Sequence, residues 1–286
     1  MKGKLLYLMI FIGVLAACEN PIGGKDPEPP SLFPKTDREK YLVDSITWYD
    51  DATNHYVTHY NYDANNRLVK QISYRTYREQ GEVKKSIMTE DYEYTNGNLT
   101  KITHKDSYVK FDHNVILYYD DNHRLIKYRS ELINGSYESG YTYFGYHNNR
   151  VDSVWSDSDP NCYSLLRYDS YGNITKVIKR VAVCDMFGQA TGEYEFRELN
   201  YEYDDKLRPF FNTDNAFVHT PYFGAYESST PDYVRLLSRN NLIKYSAHTW
   251  EYTYNEIGLP VELIEHFEGV TYVNNPKHTF TYRKIE

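Results

Sequence analysis

The sequence predicts an all-β protein: a meander of antiparallel β-hairpin repeats forming a twisted, curled sheet, with a short loop or helix inserted near 208–239. Three observations carry this. Tyrosine supplies 32 of the 286 residues, and Tyr, Thr and Val fit the pleated, half-buried surface of a strand better than a helix. Aromatic pairs recur with one residue between them, the period at which side chains share one face of a strand. A polar turn rich in Asn, Asp or Gly follows each pair and supplies the positive φ angles that tight reversals need. Composition also excludes classes. A net charge of −8 argues against nucleic acid as a partner, because neutralising phosphates takes clustered Lys and Arg. A single short apolar run argues against a polytopic helical membrane protein.

The N-terminus comes first. Met1–Ala17 reads as a secretory leader, with Lys2 and Lys4, an apolar run from Leu5 to Leu15 and then small residues. Leu15-Ala16-Ala17-Cys18 resembles a bacterial lipoprotein lipobox. That resemblance implies lipidation of Cys18, cleavage before it, and membrane attachment through the acylated N-terminus. More than one acyl chain is needed for stable anchoring. Residues 18–40 are rich in Pro, Gly and charge, have little to bury, and are expected to form a disordered tether. Glu19, Asp26 and Glu28 faintly resemble the surface-export signals of Bacteroidetes lipoproteins. An outer-membrane lipoprotein facing either the periplasm or the cell exterior is the expected location.

Residues 41–286 form the repeat domain. Copies read Tyr60-Asn61-Tyr62-Asp63 through Arg67-Leu68, Tyr92-Glu93-Tyr94 through Asn98-Leu99, Tyr118-Tyr119-Asp120 through Arg124-Leu125, and Tyr141-Thr142-Tyr143 through Arg150-Val151. Further copies are Tyr168-Asp169 through Asn173-Ile174, Tyr201-Glu202-Tyr203-Asp204 through Leu207, and Tyr252-Thr253-Tyr254 through Gly258-Leu259, with a half-copy at Phe280-Thr281-Tyr282. Their spacing suits two strands per unit rather than a four-stranded propeller blade. In several copies the aliphatic after the turn and the next apolar residue sit three apart, as in Leu99/Ile102, Leu125/Tyr128, Val151/Val154 and Ile174/Val177. Three apart is opposite faces of a regular strand. Either a bulge follows the turn or the first aliphatic plugs the hairpin end.

The dipeptides Tyr62-Asp63, Tyr119-Asp120, Tyr168-Asp169 and Tyr203-Asp204 resemble YD repeats, the units of Rhs proteins and teneurins. With the lipobox in front, the chain is most similar to YD-repeat-like lipoproteins of unknown function from Bacteroidetes. In Rhs proteins such repeats wind into a shell around a toxin. This chain is too short to enclose a second domain, so an encapsulating role is not carried over.

The repeat is interrupted between Tyr203 and Tyr252. Thr230 and Pro231 suit the start of a helix bearing Tyr233, Leu236 and Leu237. The insertion reads as a lid over an open sheet end; alternatively Phe210, Phe211, Tyr222, Phe223 and Tyr226 form a binding lip. Cys162 and Cys184 are the only thiols after Cys18 and are the candidate disulfide of an exported chain, although a hairpin centred near Tyr171 leaves them out of register by a few residues. His55 and His59 sit on a strand-like segment, roughly 13 Å apart at strand rise, too far to share an ion. No metal or cofactor is expected. The acidic pairs Asp50-Asp51, Asp120-Asp121, Asp204-Asp205 and Asp157/Asp159 read as turn chemistry, and no nucleophile elbow or phosphate loop appears. Trp48, Trp155 and Trp250 offer stacking faces, but cross-strand ladders are the better reading of periodic rings. The expected function is a non-catalytic binding or structural module of the envelope with a glycan or protein ligand; a glycan-directed hydrolase and an accessory subunit are the alternatives.

Overall fold

The computed structural model describes residues 41–51, 54–108, 112–135, 138–185, 189–210, 234, 237–269 and 277–285. The leader, Cys18 and the tether lie outside them. Sixteen strands follow one another: β1 Tyr41–Asp51, β2 Asn54–Tyr62, β3 Leu68–Glu79, β4 Glu82–Thr95, β5 Asn98–Asp106, β6 His113–Tyr119, β7 Leu125–Leu132 and β8 Thr142–His147, then β9 Arg150–Ser156, β10 Asp159–Tyr168, β11 Ile174–Cys184, β12 Ala190–Leu207, β13 Asn240–Tyr245, β14 His248–Tyr254, β15 Pro260–Phe267 and β16 Lys277–Lys284. Each pairs antiparallel with its neighbour in sequence, and β1 pairs with β16, so the sheet closes into a barrel. The meander stands; the open, curled sheet does not. The half-copy at Phe280–Tyr282 explains the closure. Tyr282 lies opposite Val43, so β16 supplies the aromatic half of a final unit and β1 its aliphatic half. Closure removes both sheet edges, which would otherwise template association.

Every unit carries the same irregularity. The second aromatic lies opposite the residue after the turn: Tyr62 opposite Leu68, Tyr94 opposite Leu99, Tyr119 opposite Leu125 and Tyr146 opposite Val151. Tyr168 meets Ile174, Tyr203 meets Leu242, Tyr254 meets Pro260 and Tyr282 meets Val43 in the same way. A register shift adjoins each of these pairs; beside Tyr94/Leu99, the next pair is Glu93/Lys101 and Thr100 is skipped. The extra residue re-phases the strand, so Leu99 and Ile102, three apart, are 0% and 2% exposed on one face. The bulge, of the two alternatives, is what the fold uses.

Three of the described turns are held by their own acidic residues. Asp63 Oδ1 accepts the amides of Asn65 and Arg67, Asp120 Oδ1 those of Asn122 and Arg124, and Asp169 Oδ1 those of Tyr171 and Asn173. Asp204 and Asp205 differ, lying within β12. Positive φ at Asn66, His123 and Gly172 completes three of these reversals.

Tyrosine hydroxyls join unit to unit. Tyr94 donates to Leu68 O at 2.9 Å, Tyr146 to Leu125 O at 2.8 Å, Tyr168 to Val151 O at 2.8 Å and Tyr203 to Ile174 O at 2.8 Å. The chain of donors continues across the seam, from Tyr282 to Pro260 O at 2.6 Å and from Tyr62 to Val43 O at 2.8 Å. Guanidinium groups cap the rings: Arg67 over Tyr94, Arg124 over Tyr146 and Arg150 over Tyr168. At the seam Arg283 covers Tyr62, so the split unit reproduces the device with an arginine from β16. The fourth unit departs from the Tyr141-Thr142-Tyr143 pair that the sequence predicts. Phe144 and Tyr146 make the inner pair of the fourth unit, whereas Tyr141 and Tyr143 flank the Lys127 ammonium.

Most of the insertion expected as a lid, 211–233 and 235–236, lies outside the described residues. Phe210, just after β12, packs edge-on against Tyr60 of β2 with centroids 5.0 Å apart. β2 lies across the seam from β12, with β13, β14, β15, β16 and β1 between them. Val234, 0% exposed, and Leu237 join the same core. The described residues Phe210, Val234 and Leu237 therefore pack inside the barrel, as a plug of its core. Phe210 holds φ +65°, a conformation a bulky side chain adopts only where its surroundings over-determine it. Val234 and Leu237 are helical, and Ser238 N donates to Val234 O at 3.1 Å. The expected helix start at Thr230 lies outside the described residues.

Candidate functional site

Of the expected lip residues, Phe210 is a core contact rather than a surface one; Phe211, Tyr222, Phe223 and Tyr226 lie outside the described residues, as does Cys18. Cys162 and Cys184 are separate thiols. Tyr163 faces Arg180 and Cys184 faces Ala190, so continuing the register sets Cys162 three residues short of Cys184. Cys162 Sγ donates to Asp159 Oδ2 at 3.1 Å instead, and burial, with that carboxylate beside it, raises the thiol above its ordinary range.

The neck of the plug is a hydrogen-bonded knot. Asn173 Oδ1 accepts the amides of Arg239 and Asn240 at 3.0 and 2.8 Å. Ser238 Oγ accepts Ile174 N and donates to the Tyr203 hydroxyl. Arg208 gives its Nε to Ser238 O at 2.7 Å and Nη1 to Pro209 O at 3.1 Å; burial pushes it down to about 10. The Tyr254 hydroxyl and the Asn241 amide both meet the Asp204 carboxylate, which burial raises above its ordinary range. The stretch Leu237-Ser238-Arg239-Asn240-Asn241 supplies most of this knot.

Toward the other end the inner face turns polar. Glu90 is 2% exposed; it accepts the Tyr92 hydroxyl at 2.6 Å and lies 3.2 Å from His104 Nδ1. The His104 ring sits 4.7 Å from that of His113. Burial, then the Glu90 charge, drives the Tyr92 hydroxyl well above its ordinary range. No sequence motif marks this group of four, because Glu90 and Tyr92 come from β4, His104 from β5 and His113 from β6. Lys179 on β11 is 4% exposed and is pushed down to about 8 by burial, with Arg197 beside it. Farther round, aromatic rings run in near-parallel contact along the wall: Tyr201 with Tyr245 at 4.9 Å, Tyr245 with His248 at 6.4 Å, and His248 with Trp250 at 5.8 Å. Trp250 Nε1 donates to Glu265 Oε1 at 3.1 Å. The ladder expected of the rings is present, and on this part of the wall it is interleaved with ionisable groups.

The outer face is charged. Lys70 pairs with Asp91 at 2.8 Å, Lys101 with Glu93 at 2.8 Å, Lys176 with Glu198 at 2.7 Å and Lys244 with Glu202 at 3.3 Å. Lys277 and Glu262 make another such pair. A membrane-spanning barrel presents an apolar outer band about 25 Å tall; these described strands present cross-strand ion pairs beside exposed Tyr49, Tyr74, Ile87 and Phe196. Among the described residues no helix is long and apolar enough to cross a membrane.

No protein-family profile matches the sequence, and no curated protein matches it. Among solved structures, a porin-like protein from Bacteroides uniformis is similar with a TM-score of 0.51 and 10% identity, covering 84% of this chain and 96% of that one. A porin-like protein from Bacteroides vulgatus follows at TM-score 0.36 and 11% identity, covering 84% and 98%. The TcdB2-TccC3 structure matches at TM-score 0.25 and 16% identity, covering 80% of this chain and 13% of that one. At its level of identity the Bacteroides uniformis protein shares the fold and nothing finer.

Proposed function

We propose that this chain is a lipid-anchored, extracytoplasmic β-barrel of the bacterial outer membrane that serves as a non-catalytic binding module for a glycan or protein. The observation that carries the reading is the placing of side chains: ion pairs outside, and inside a row of rings with Glu265 bonded to Trp250, together with buried Lys179 and the group of Glu90, Tyr92, His104 and His113. A wall charged on its outer side is at home in water, so an anchor is what would hold it at a membrane, and the lipobox at Cys18 supplies one. Buried side chains from every strand, β1 to β16, meet in one apolar core that Phe210, Val234 and Leu237 of the insertion join. The fold likeness to a porin-like protein of Bacteroides uniformis fits an envelope barrel.

The test is metabolic labelling with an alkyne fatty acid in a bacterial host that processes lipoproteins, followed by membrane fractionation. The wild type is expected to take up label and sediment with outer membrane, and Cys18→Ala to do neither. Label-free, soluble wild-type protein overturns the reading.

A further inference from the structure

The barrel wall is uneven at one rim. β12 pairs with β11 along an unbroken ladder, from Lys176 opposite Asn200 to Ala182 opposite Tyr194. Its ladder with β13 begins only where Tyr201 meets Tyr245, and β13 ends there. Among the described residues no strand lies beside 194–200 on that side. Closure removes the edges that β1 and β16 would present; this overhang is an edge that closure leaves. It is about 20 Å long at strand rise. Glu195, Phe196, Arg197, Glu198 and Asn200 are exposed, whereas Tyr201, where β13 joins, is 3% exposed. The overhang is held from behind: Tyr163 of β10 lies opposite Arg180 of β11, and Arg180 opposite Phe196. Arg180 gives Nη1 to Asn161 O at 2.8 Å and covers the Tyr194 ring. Phe196, at 63% the most exposed large hydrophobic residue described, meets Tyr163 edge-on.

We infer that this overhang docks an extended segment of a partner protein by strand addition, the segment being basic on one face and aromatic or β-branched on the other. The inference rests on the binding-module reading and names protein as its ligand class. An edge strand offers a row of backbone N–H and C=O groups to another chain. Those bonds give affinity, and side chains at alternate positions give specificity. Pro, Lys and bulges, common guards of an edge, are absent from 194–200. On the outer face the partner's residue beside Phe196 completes a cross-strand pair, where aromatic and β-branched side chains are favoured. On the other face it meets Glu195 and Arg197, with Glu193 next in the alternation; Glu198 adds a third carboxylate to the single guanidinium. The Glu195 side chain bonds Arg197 Nε at 2.5 Å and is still 45% exposed, and a carboxylate accepts further donors. A second copy is the poorer occupant. Two copies joined along this edge by a two-fold axis run antiparallel and point their Tyr41 ends in opposite directions, away from one shared lipid surface. A net charge of −8 on each also opposes their pairing. β12 begins at the rim opposite the one where β1 begins, so a chain anchored through its N-terminus carries this edge on the side away from the anchor.

The experiment uses the full-length, detergent-solubilised protein. It is applied to an array of nonapeptides in which Lys or Arg alternates with Val, Thr, Phe or Tyr, to a matching array with Glu at the basic positions, and to N-methylated copies of the binders. Maltohexaose and chitohexaose are titrated separately. Basic peptides are expected to bind, acidic ones to bind at least about tenfold more weakly, and N-methylated ones, which lack the backbone donors, to lose binding. Bound peptide is expected to slow amide exchange in 194–200 and to leave β4 and β5 as they were. Glu195→Lys and Phe196→Ala should each weaken binding by about tenfold, while Ile126→Ala, at an exposed site on β7, leaves it unchanged. Both edge side chains are exposed, so melting curves that match wild type separate lost binding from lost fold. A peptide that binds every variant equally, or a hexasaccharide that binds where no peptide does, overturns the inference and leaves the module standing. Dimerisation of the protein alone that Glu195→Lys abolishes assigns the edge to a second copy and likewise overturns it. No ligand of either kind overturns both.

Discussion

Replacing Glu90 tests whether the polar interior is a built network or incidental burial. The carboxylate is 2% exposed and takes the Tyr92 hydroxyl at 2.6 Å and His104 Nδ1 at 3.2 Å. Glu90→Ala leaves His104 Nδ1 without its carboxylate and the buried Tyr92 hydroxyl with only a long bond to Gln71 Oε1 at 3.4 Å, and opens space beside both. Removing one partner of a buried pair costs about 3–5 kcal/mol, in line with roughly 1–3 kcal/mol for each stranded polar group. For a domain of this size each kcal/mol lowers the melting midpoint by about 2–4 °C, so a fall of roughly 6–20 °C is expected. Glu90→Gln keeps one carbonyl acceptor and should lose about 1–3 kcal/mol. Urea unfolding followed by tryptophan fluorescence reads both. A cycle with His104→Ala should be non-additive, because Glu90→Ala has already removed the shared contact. Loss below about 1 kcal/mol for Glu90→Ala, or strict additivity with His104→Ala, refutes a coupled network.

Three further outcomes follow from the repeat. Tyr94→Phe and Tyr282→Phe each remove one hydroxyl donated to a carbonyl of the neighbouring unit and should each cost about 1–2 kcal/mol in the same urea titration; a harmless Tyr282→Phe beside a costly Tyr94→Phe would contradict the equivalence of the seam. Leu99→Ala empties a site that is 0% exposed and should cost about 2–5 kcal/mol. Asp120 is held below its ordinary range by the Arg124 amide and guanidinium; a depressed folded value gives stability that is full above the unfolded value and lost as pH falls through the folded one. Acid titration should therefore destabilise wild type more than Asp120→Asn across that interval, and coincident curves would remove the ion-pair contribution.

Much of this architecture was legible because each unit repeats one physical solution. The Tyr-x-Tyr alternation announced strands, Asp63, Asp120 and Asp169 announced turns, and the three-residue offset of Leu99 and Ile102 announced an irregularity whose nature only the register shows. Alternation alone does not say which face is inside, which is why Tyr141 and Tyr143 stood in for Phe144 and Tyr146. Closure escaped because the aliphatic half of the last unit, Leu42-Val43, sits at the opposite end of the chain from Tyr282 and carries no tyrosine signature. The plug escaped for a related reason: Phe210 reaching Tyr60 is a contact across the lumen, and local pattern carries no information about it. The interior polar groups were each visible as ordinary strand residues. What gathers Glu90 with His104, or Glu265 with His278, is the lateral register of strands, a property of pairing rather than of any one segment.

The central claim is that the first and last strands meet. Hydrogen-exchange mass spectrometry on the full-length protein reads this directly, since β1 and β16 are hydrogen-bonded on both sides only if the barrel is closed. Protection of peptides from 41–51 and 277–284 comparable to that of β4 and β5 is the expected result. Rapid exchange confined to the outer-facing amides of those two strands, with the remaining meander protected, would show an open sheet and contradict the account.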